Sequence, residues 1–373
     1  MNIKKLVNWV ITPEKYKKSV QRQFYSQRGR IKFFACSSGI ELGKKVVNAY
    51  NELIKEAGKD DSAGFSEKYK LYNFMKEFND GEINTPLETD VDGADAYVFQ
   101  SLKNPTYEFD QHKNMWELFV LGSTLHKQRA NKITAVLPYL SYSRQDKTTP
   151  GKKEKAIAKL VANLIEASGF TGVITWHPHS LSIAEYYNIP FIPFDPLFFF
   201  ADCVSAYKGD PKVILVGPDD NSKNVIKPLS EELHIPYAIG NKHRKEHRGP
   251  ELIGMSGDFT GKELAIVIDD MIDSGGTQEA IFKYLHAIGI NSVKVVASHG
   301  IFSKNAIKIL TEAHDKYGLE NVCITDTIPQ PKYILALPFL TQKSIAEPVA
   351  LTINRTHYQD SASAPFVKQS EEK

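Results

Sequence analysis

The sequence predicts an α/β protein made of two similar, doubly wound domains, each built on a parallel sheet. Short apolar segments rich in β-branched and aromatic residues recur along the 373 residues, and helical patterns separate most of them. Strands that alternate with helices form parallel sheets covered on both faces, and near-continuous apolar strands fit that burial. The length suffices for two domains of ordinary size.

Eight segments are expected to form strands, because each is a short apolar run bounded by polar or turn-forming residues. They are IKFFACSS at 31–38, DAYVFQSL at 95–102, KITAVLPYL at 132–140, GVITWHP at 172–178, KVILVGPDD at 212–220, LAIVIDDM at 264–271, VKVVASHG at 293–300 and VCITDTI at 322–328.

Two helices are expected with defined buried faces. Residues 153–168 carry apolar side chains at the three-four spacing of one helical face, and Gly169 is expected to end that helix. A second helix follows Gly276 and ends before Gly289. The side chains expected to be buried are Ile157, Leu160, Val161, Leu164 and Ile165 in the first helix and Ile281, Tyr284, Leu285 and Ile288 in the second.

The Pro-rich segment 188–200 indicates a boundary between two similar halves. Residues 57–70 are expected to form an exposed insertion, and the tail after Asp360 is expected to fray. The predicted parts are an N-terminal extension at 1–30, a first α/β domain at 31–190 and a second α/β domain at 191–340.

Composition narrows the class of protein. A hydrophobic share of 42% and a net charge of +2 are ordinary for a globular protein, and a nucleic-acid surface would need a larger basic excess. Three widely separated cysteines make a disulfide framework unexpected, which favours a reducing cytoplasm, and we expect them to pack in the core. No uninterrupted apolar run approaches the ~20 residues of a membrane span. We therefore expect a cytoplasmic protein without nucleic-acid or membrane partners.

Polar side chains follow four of the expected strands, at 141–147, 177–180, 219–220 and 269–277. Ligands collect at the carboxyl ends of parallel strands, so these segments are the candidate site. The densest of them is VIDDMIDSGGT, where Asp269 and Asp270 end a strand and the glycines open the next helix. A glycine turn at a helix N-terminus can hold a phosphate, while carboxylates accept hydrogen bonds from sugar hydroxyls or gather a cation. An Asp-rich helix cap without a ligand is the alternative.

This segment resembles the phosphoribosyl pyrophosphate signature that phosphoribosyltransferases share with ribose-phosphate pyrophosphokinases. The resemblance implies sheets of the phosphoribosyltransferase type. It also implies that Asp269 and Asp270 face the ribose hydroxyls of ribose 5-phosphate. The residues implied to hold its phosphate are Asp273, Ser274, Gly275, Gly276 and Thr277.

Three further motifs resemble segments of the pyrophosphokinases. The first two of them have no counterpart in simple transferases. FNDGE at 78–82 and PYLSYSRQDK at 138–147 match segments that contact ATP, and NKHR at 241–244 matches a Lys-x-Arg on a mobile loop over the transferred group. Each motif alone also fits a turn or a solvated polar surface, whereas their joint order fits the family. The residues so implied are Phe78, Asp80, Glu82, Arg144, Gln145 and Asp146 for ATP, with Lys242 and Arg244 as catalytic groups.

Two segments depart from the family pattern. His177 stands where the family has an acid, while His179 inherits a contact to ATP phosphates or their magnesium, and Asp219 matches a metal-side carboxylate. A zinc site at the two histidines is the alternative, but the sequence offers no clear third ligand and magnesium prefers oxygen. Residues 221–225, NSKNV, replace a Gly-rich segment, which puts the usual contacts there in doubt.

The resemblance implies synthesis of 5-phosphoribosyl 1-pyrophosphate from ribose 5-phosphate and ATP, with Mg²⁺ as cofactor. It also implies a homo-oligomer based on dimers, up to a hexamer, and a C-terminal helix at about 341–366 that packs back on the first domain. Two alternatives stay open at this point: a catalytically silent homologue that regulates an active synthetase, and a phosphoribosyltransferase.

Overall fold

The structure is a computed structural model that describes residues 10, 12–14, 28–58, 68–105, 110–147, 156–245 and 249–362. Side chains at 110, 242–245 and 249–253 lie outside the described part. Most of the expected N-terminal extension, most of the expected insertion at 57–70 and the end of the tail also lie outside it.

Contacts divide the chain into two compact units. The first comprises Met1–Phe194 together with Ile345–Lys373, and the second comprises Asp195–Ser344. The domain boundaries predicted from the sequence, at 190 and at 340, stay predictions. Each unit is built around one large sheet.

The first unit contains a parallel sheet of six strands in the order β2-β1-β5-β6-β7-β8, with a separate antiparallel pair β3-β4. Its strands are β1 (Ile31–Ala35), β2 (Leu71–Tyr72), β3 (Lys76–Glu77), β4 (Ile83–Asn84), β5 (Asp95–Phe99), β6 (Lys132–Leu137), β7 (Gly172–Trp176) and β8 (Phe191–Phe194). Its helices are α1 (Ile40–Ala57), α2 (Asp110–Lys127), α3 (Ile157–Ala167) and, near the C-terminus, α9 (Ala346–His357).

The second unit contains a sheet of seven strands in the order β11-β10-β9-β12-β13-β14-β15, parallel except for the pair β10-β11. Its strands are β9 (Val213–Gly217), β10 (Tyr237–Lys245), β11 (Gly249–Ser256), β12 (Leu264–Ile272), β13 (Ser292–Gly300), β14 (Leu319–Thr325) and β15 (Leu340–Lys343). Its helices are α4 (Leu197–Val204), α5 (Lys223–Leu233), α6 (Gly276–Ala287), α7 (Ala306–Lys316) and α8 (Lys332–Leu335).

The predicted fold class is confirmed, and each of the eight expected strand segments contains a strand. Strands β5, β7 and β9 are completely buried, since each of the five residues in each strand is buried. Such runs fit a parallel sheet covered on both faces.

The C-terminal helix α9 packs against α1 within the first unit. A buried carboxylate ties it further, since Asp95 accepts hydrogen bonds from Arg28 at 2.9 and 3.0 Å and contacts His357 Nδ1 at 2.7 Å. The Tyr97 hydroxyl donates to the same carboxylate at 3.1 Å. Asp95, the first residue of β5, therefore connects the sheet of the first unit to α9.

The predicted buried faces of both helices are wrong in part. Val161 and Ile165 of α3 are buried, but Leu160 and Leu164 are 52% and 39% exposed, because Ala158 and Ala162 complete the buried stripe instead. Ile288, just past the end of α6, is exposed as well. The apolar spacing identified the helices but not the width of their buried faces.

Several strands were not expected from the sequence. β8 includes Pro193, which an edge strand tolerates because its outer side needs no N–H donor. The pair β10-β11 lacks a long apolar run, because apolar residues in β10 stop at Ile239 and those in β11 are interrupted by glycine and glutamate. Across the described ranges, no helix combines the length and apolar character needed to cross a membrane.

Candidate functional site

The acidic tip of β12 lies in the middle of the second unit's sheet. β12 is flanked by β9 and β13, and Asp269 lies opposite Ala297 of β13. Asp269 and Asp270 are both half-buried at the carboxyl end of this strand. The sequence placed the two acids where the chain leaves the sheet, but β12 continues past them and pairs with β13 as far as Ile272, so they lie within the last four residues of the strand.

Two hydrogen bonds fix the Asp269 carboxylate. Its Oδ1 accepts the backbone N–H of Asp270 at 2.9 Å, and its Oδ2 accepts the side-chain amide of Gln278 at 2.8 Å. Gln278 is the third residue of α6 and is only 2% exposed. Each carboxylate oxygen thus has a donor, and the orientation of the group is set before any ligand binds.

Gln278 was missed by reasoning from the sequence. The signal that could have found it is its spacing, because it lies three residues before Ile281 and seven before Leu285 on the buried face of α6. A polar side chain on such a face needs a partner, and the acids at the strand tip, eight and nine residues earlier, could supply one.

Burial raises the pKa of Asp269 well above its ordinary value, and the negative charges of Asp270 and Asp219 raise it further. The N–H of Asp270 opposes this by stabilising the ionised form. Three carboxylates therefore share the ends of two adjacent strands, β9 and β12. Such a cluster favours a ligand that brings hydroxyl donors or positive charge.

The turn behind the acids requires glycine at one position. Gly275 has φ +84°, and a Cβ there would lie 3.1 Å from Cα of Ala306 and 3.2 Å from Cδ1 of Ile309. At Gly276, the first residue of α6, a Cβ would meet nothing within 4 Å. The loop is consequently packed against α7 on one side and open on the other.

The loop also has a polar anchor. Ser303 donates from its hydroxyl to Oδ1 of Asp273 at 2.6 Å and from its backbone N–H to the Asp273 carbonyl at 2.9 Å. The N–H of Glu279 donates to the Gly275 carbonyl at 2.9 Å, so the N–H groups of 276–278 precede the helical ladder. Ser274 and Thr277 lie half-buried beside them, and a helix start with unpaired N–H groups and neighbouring hydroxyls has the donors that an anion requires.

Asp219 follows β9 and caps the short turn at 220–222. Its Oδ1 accepts the N–H of Asn221 at 3.1 Å, and its carbonyl accepts the hydroxyl and N–H of Ser222. The segment 221–225 that departs from the family pattern is therefore built as a capped turn leading into α5. In place of glycines, the side chains of Asp219 and Ser222 secure this turn.

In the first unit, FNDGE forms a tight turn between β3 and β4. The N–H of Phe78 donates to the Glu82 carbonyl at 2.8 Å, and that of Glu82 donates to Oδ1 of Asp80 at 3.1 Å. Gly81 has φ +89°, and the Phe78 ring is 55% exposed. The motif thus forms a turn that also presents an aromatic face to solvent. Both predictions for it, a plain turn and a segment that contacts ATP, are compatible with this geometry.

The second expected ATP segment follows β6. Arg144 and Gln145 are exposed, whereas Asp146 is buried and its carbonyl accepts the Tyr186 hydroxyl. His179 follows β7 and is exposed. Among the described residues of both units, no three His, Cys, Asp or Glu side chains form a group that could hold a metal ion.

Lys242 and Arg244 lie on β10 rather than on the loop that the resemblance implied. β10 pairs with β9 only over Tyr237–Ile239, and beyond that point it pairs with β11 alone, with a register shift between Asn241 and Lys242. Backbone pairing with β11 makes this segment a two-stranded ribbon. The two side chains lie outside the described part.

Fold and site together define an α/β protein with an acidic strand tip ahead of an anion-binding helix start. Residues 31–169 match the N-terminal domain of ribose phosphate pyrophosphokinase, and residues 217–367 match the phosphoribosyl synthetase-associated domain. The chain is 30% identical over 339 residues to ribose-phosphate pyrophosphokinase 1 of Listeria monocytogenes, covering 90% of this chain and 97% of that protein. It is 31% identical over 343 residues to the ribose-phosphate pyrophosphokinase of Nostoc, covering 91% and 95%.

A solved structure agrees with these matches. Phosphoribosylpyrophosphate synthetase from Mycobacterium smegmatis is similar at a TM-score of 0.72 and 26% identity, over 88% of this chain and 99% of that chain. The chain belongs to the ribose-phosphate pyrophosphokinase family. The resemblance inferred from the motifs is confirmed for the family and for the fold.

Proposed function

We propose that this protein synthesises 5-phosphoribosyl 1-pyrophosphate by moving the β,γ-diphosphoryl group of Mg-ATP to the anomeric hydroxyl of ribose 5-phosphate, with release of AMP. The single observation that carries the proposal is the continuous segment 269–277. It places an oriented, half-buried acid pair directly before a glycine-opened helix start. Membership of the family supports the same reaction.

The sugar phosphate would bind along this segment. The hydroxyls of the ribose would donate to the carboxylates of Asp269 and Asp270, and these donors would favour the ionised form of Asp269. The phosphate would accept hydrogen bonds from the first N–H groups of α6 and from the Ser274 and Thr277 hydroxyls. Asp273, Gly275 and Gly276 would shape the loop that holds it.

ATP would bind through the motifs of the first unit. The exposed face of Phe78 suits contact with adenine, while Asp80 and Glu82 would accept hydrogen bonds from its amino group or its ribose. Arg144 would meet a phosphate as a bidentate donor, with Gln145, Asp146 and His179 completing the site.

The chemical step needs little covalent help from the protein. The oxygen of the anomeric hydroxyl attacks the β-phosphorus and releases its proton to solvent. The bond from that phosphorus to the oxygen bridging to the α-phosphorus breaks, and AMP leaves with that oxygen. Lys242 and Arg244 would stabilise the charge that builds on the transferred group. One donor aimed at such charge contributes about 3–4 kcal/mol of barrier lowering.

Asp219 and His179 are the residues that would hold Mg²⁺. The carboxylate oxygens of Asp219 suit this ion, and the negative charges that raise the pKa of Asp269 favour a cation nearby. Bound Mg²⁺ would neutralise charge on the ATP phosphates.

We further propose a cytoplasmic, dimer-based homo-oligomer without nucleic-acid or membrane partners.

The test is a coupled measurement of AMP and 5-phosphoribosyl 1-pyrophosphate formed from Mg-ATP and ribose 5-phosphate. We expect turnover by the wild type and loss of it in the double variant Asp269→Ala, Asp270→Ala. Asp315→Ala serves as the matched control, because Asp315 is an exposed acid on α7 of the same unit. Equal product from the wild type and the double variant would refute the proposal.

Two other outcomes would identify the alternatives. Consumption of 5-phosphoribosyl 1-pyrophosphate that depends on an added nucleobase would indicate a phosphoribosyltransferase. Absence of turnover alone, together with co-purification of an active synthetase, would indicate a silent regulatory homologue, for which the segment 221–225 and His177 are the motivating departures.

A further inference from the structure

Two cysteines that are far apart in the sequence meet in the second unit. Cys203 lies near the end of α4 and Cys323 lies within β14, yet their Sγ atoms are 3.5 Å apart. The two cysteines are 120 positions apart in the chain, so local sequence patterns do not reveal this contact. Both thiols are free.

The two thiols are electrostatically unequal. The hydrogen bond from Cys203 lowers the pKa of Cys323 to about 7, and Thr341 and the Lys343 ammonium act in the same direction against the cost of burial. The same contact, together with burial, raises the pKa of Cys203. The two sulfur atoms share one hydrogen-bond contact in which either thiol can be the donor, and the lowered pKa of Cys323 favours a thiolate at that residue.

We propose that Cys203 and Cys323 are a peroxide-reactive dithiol that closes to a disulfide linking α4 to β14. The sulfur atoms start 3.5 Å apart and need to approach to ~2.05 Å, a movement within reach of side-chain rotation. This inference does not depend on the proposed function, because none of the residues involved belongs to the candidate site.

Hydrogen peroxide supplies the oxidation. The Cys323 thiolate attacks one peroxide oxygen, an S–O bond forms, the O–O bond breaks and hydroxide leaves. The Cys203 sulfur then attacks the Cys323 sulfenic acid, an S–S bond forms and the S–O bond breaks, and the departing oxygen takes the Cys203 proton as water. Two thiols are oxidised by two electrons in total, and one peroxide is reduced to two molecules of water.

Access to the pair is from the edge of the sheet. Cys203 is half-buried, and Cys323 lies opposite Thr341 of β15, the outermost strand on that side. The ion pair between Lys343 and Asp202, at 2.7 Å, lies beside the thiols; the Lys343 ammonium lowers the pKa of Cys323 and the Asp202 carboxylate raises it. Edge strands open more readily than central ones, which admits a molecule as small as peroxide.

Cys36 provides an internal control within the same chain. It is completely buried at the end of β1, and burial with the nearby charge of Glu117 raises its pKa well above the ordinary value. Cys36 should therefore stay reduced while the pair in the second unit reacts.

The experiment uses the full-length reduced protein and hydrogen peroxide. We expect the number of free thiols to fall from three to one, and peptide mapping without reductant to find a Cys203–Cys323 linkage two hydrogens lighter than the separate peptides. The thermal midpoint of the oxidised protein should rise by several degrees and return after dithiothreitol, because the bridge closes a long loop. Three remaining thiols, or linkage only between chains, would overturn the proposal.

Variants separate the two roles. Cys203→Ser keeps a hydrogen-bond donor but removes the resolving sulfur, so a dimedone adduct should accumulate at Cys323. Cys36→Ser should still lose two thiols on oxidation. A Cys323 that stays unlabelled in Cys203→Ser, with Cys36 labelled instead, would contradict the assignment. The wild-type thiol count decides the matter even if a variant fails to fold.

Discussion

The side-chain amide of Gln278 donates a hydrogen bond to the carboxylate of Asp269 at 2.8 Å, from inside the helix that follows the glycine turn. This contact makes the acid pair and the anion-binding helix start a single rigid arrangement. Because Gln278 is buried, no solvent molecule can easily replace the donor that it provides.

Gln278→Leu should raise the KM for ribose 5-phosphate about tenfold or more, because the lost hydrogen bond involves a charged group. The KM for ATP should stay within about twofold, since the expected ATP motifs lie in the other unit. Steady-state kinetics with each substrate varied in turn checks this. Gln278→Asn should recover less than full affinity, because its shorter side chain reaches Asp269 poorly.

Lys283→Gln is the control for that experiment, because Lys283 lies on the same helix and pairs only with Glu279 among the contacts described at its surface. Its kinetics should match the wild type. A Gln278→Leu enzyme with unchanged KM for ribose 5-phosphate would show that the amide has no part in holding Asp269 for the sugar.

Gly275→Ala should destabilise the second unit by about 1–3 kcal/mol, because its φ of +84° is strained for alanine and the new Cβ would press on Ala306. Gly276→Ala should be neutral or slightly stabilising, since the added methyl meets open space and alanine suits a helix start. Denaturant unfolding followed by circular dichroism measures both. Equal losses of stability in the two variants would contradict the turn geometry.

Asp95→Asn should lower the free energy of unfolding by about 3 kcal/mol, because Arg28 and His357 would lose the buried carboxylate that joins them. Asp90→Asn is the matched control, since its ion pair with Arg30 is exposed on both sides and should matter little. Urea unfolding of the two variants is the measurement. A control that loses as much as Asp95→Asn would rule out burial as the cause.

Alkylation of Cys323 by iodoacetamide should show a midpoint near pH 7, because hydrogen bonding from Cys203 lowers its pKa to about 7. The reactive thiolate is present above that pH and is lost as the pH falls through it. Mass spectrometry of the modified peptide over a pH series gives the midpoint. A midpoint near 8.5, the ordinary value for a free thiol, would mean that the contact does not activate Cys323.

The sequence identified the central strands because parallel strands covered on both faces read as unbroken apolar runs, as in Val213–Gly217. It missed the pair β10-β11, because neither strand carries a continuous apolar run and their pairing is antiparallel backbone pairing at the edge of the sheet. It also assigned Leu160 and Leu164 to a buried face, since spacing alone does not give the width of the helix–sheet contact.

Local motif chemistry was predictable where the residues are contiguous. Nine contiguous residues contain Asp269, Asp270 and the glycine turn. The apolar run before them indicates that they connect a strand to a helix. Ser303 and Cys203 were not predictable, because their partners Asp273 and Cys323 lie 30 and 120 residues away and meet only through the sheet. Contacts of this kind depend on tertiary packing, which local patterns do not encode.

The most direct test of the central claim is a crystal structure of the protein soaked with ribose 5-phosphate. We expect the phosphate to lie against the N–H groups and hydroxyls of residues 274–277, with the sugar hydroxyls within hydrogen-bond distance of the Asp269 and Asp270 carboxylates. Sugar phosphate bound elsewhere, with the segment 269–277 holding none of it, would show that this segment is not the sugar-phosphate site.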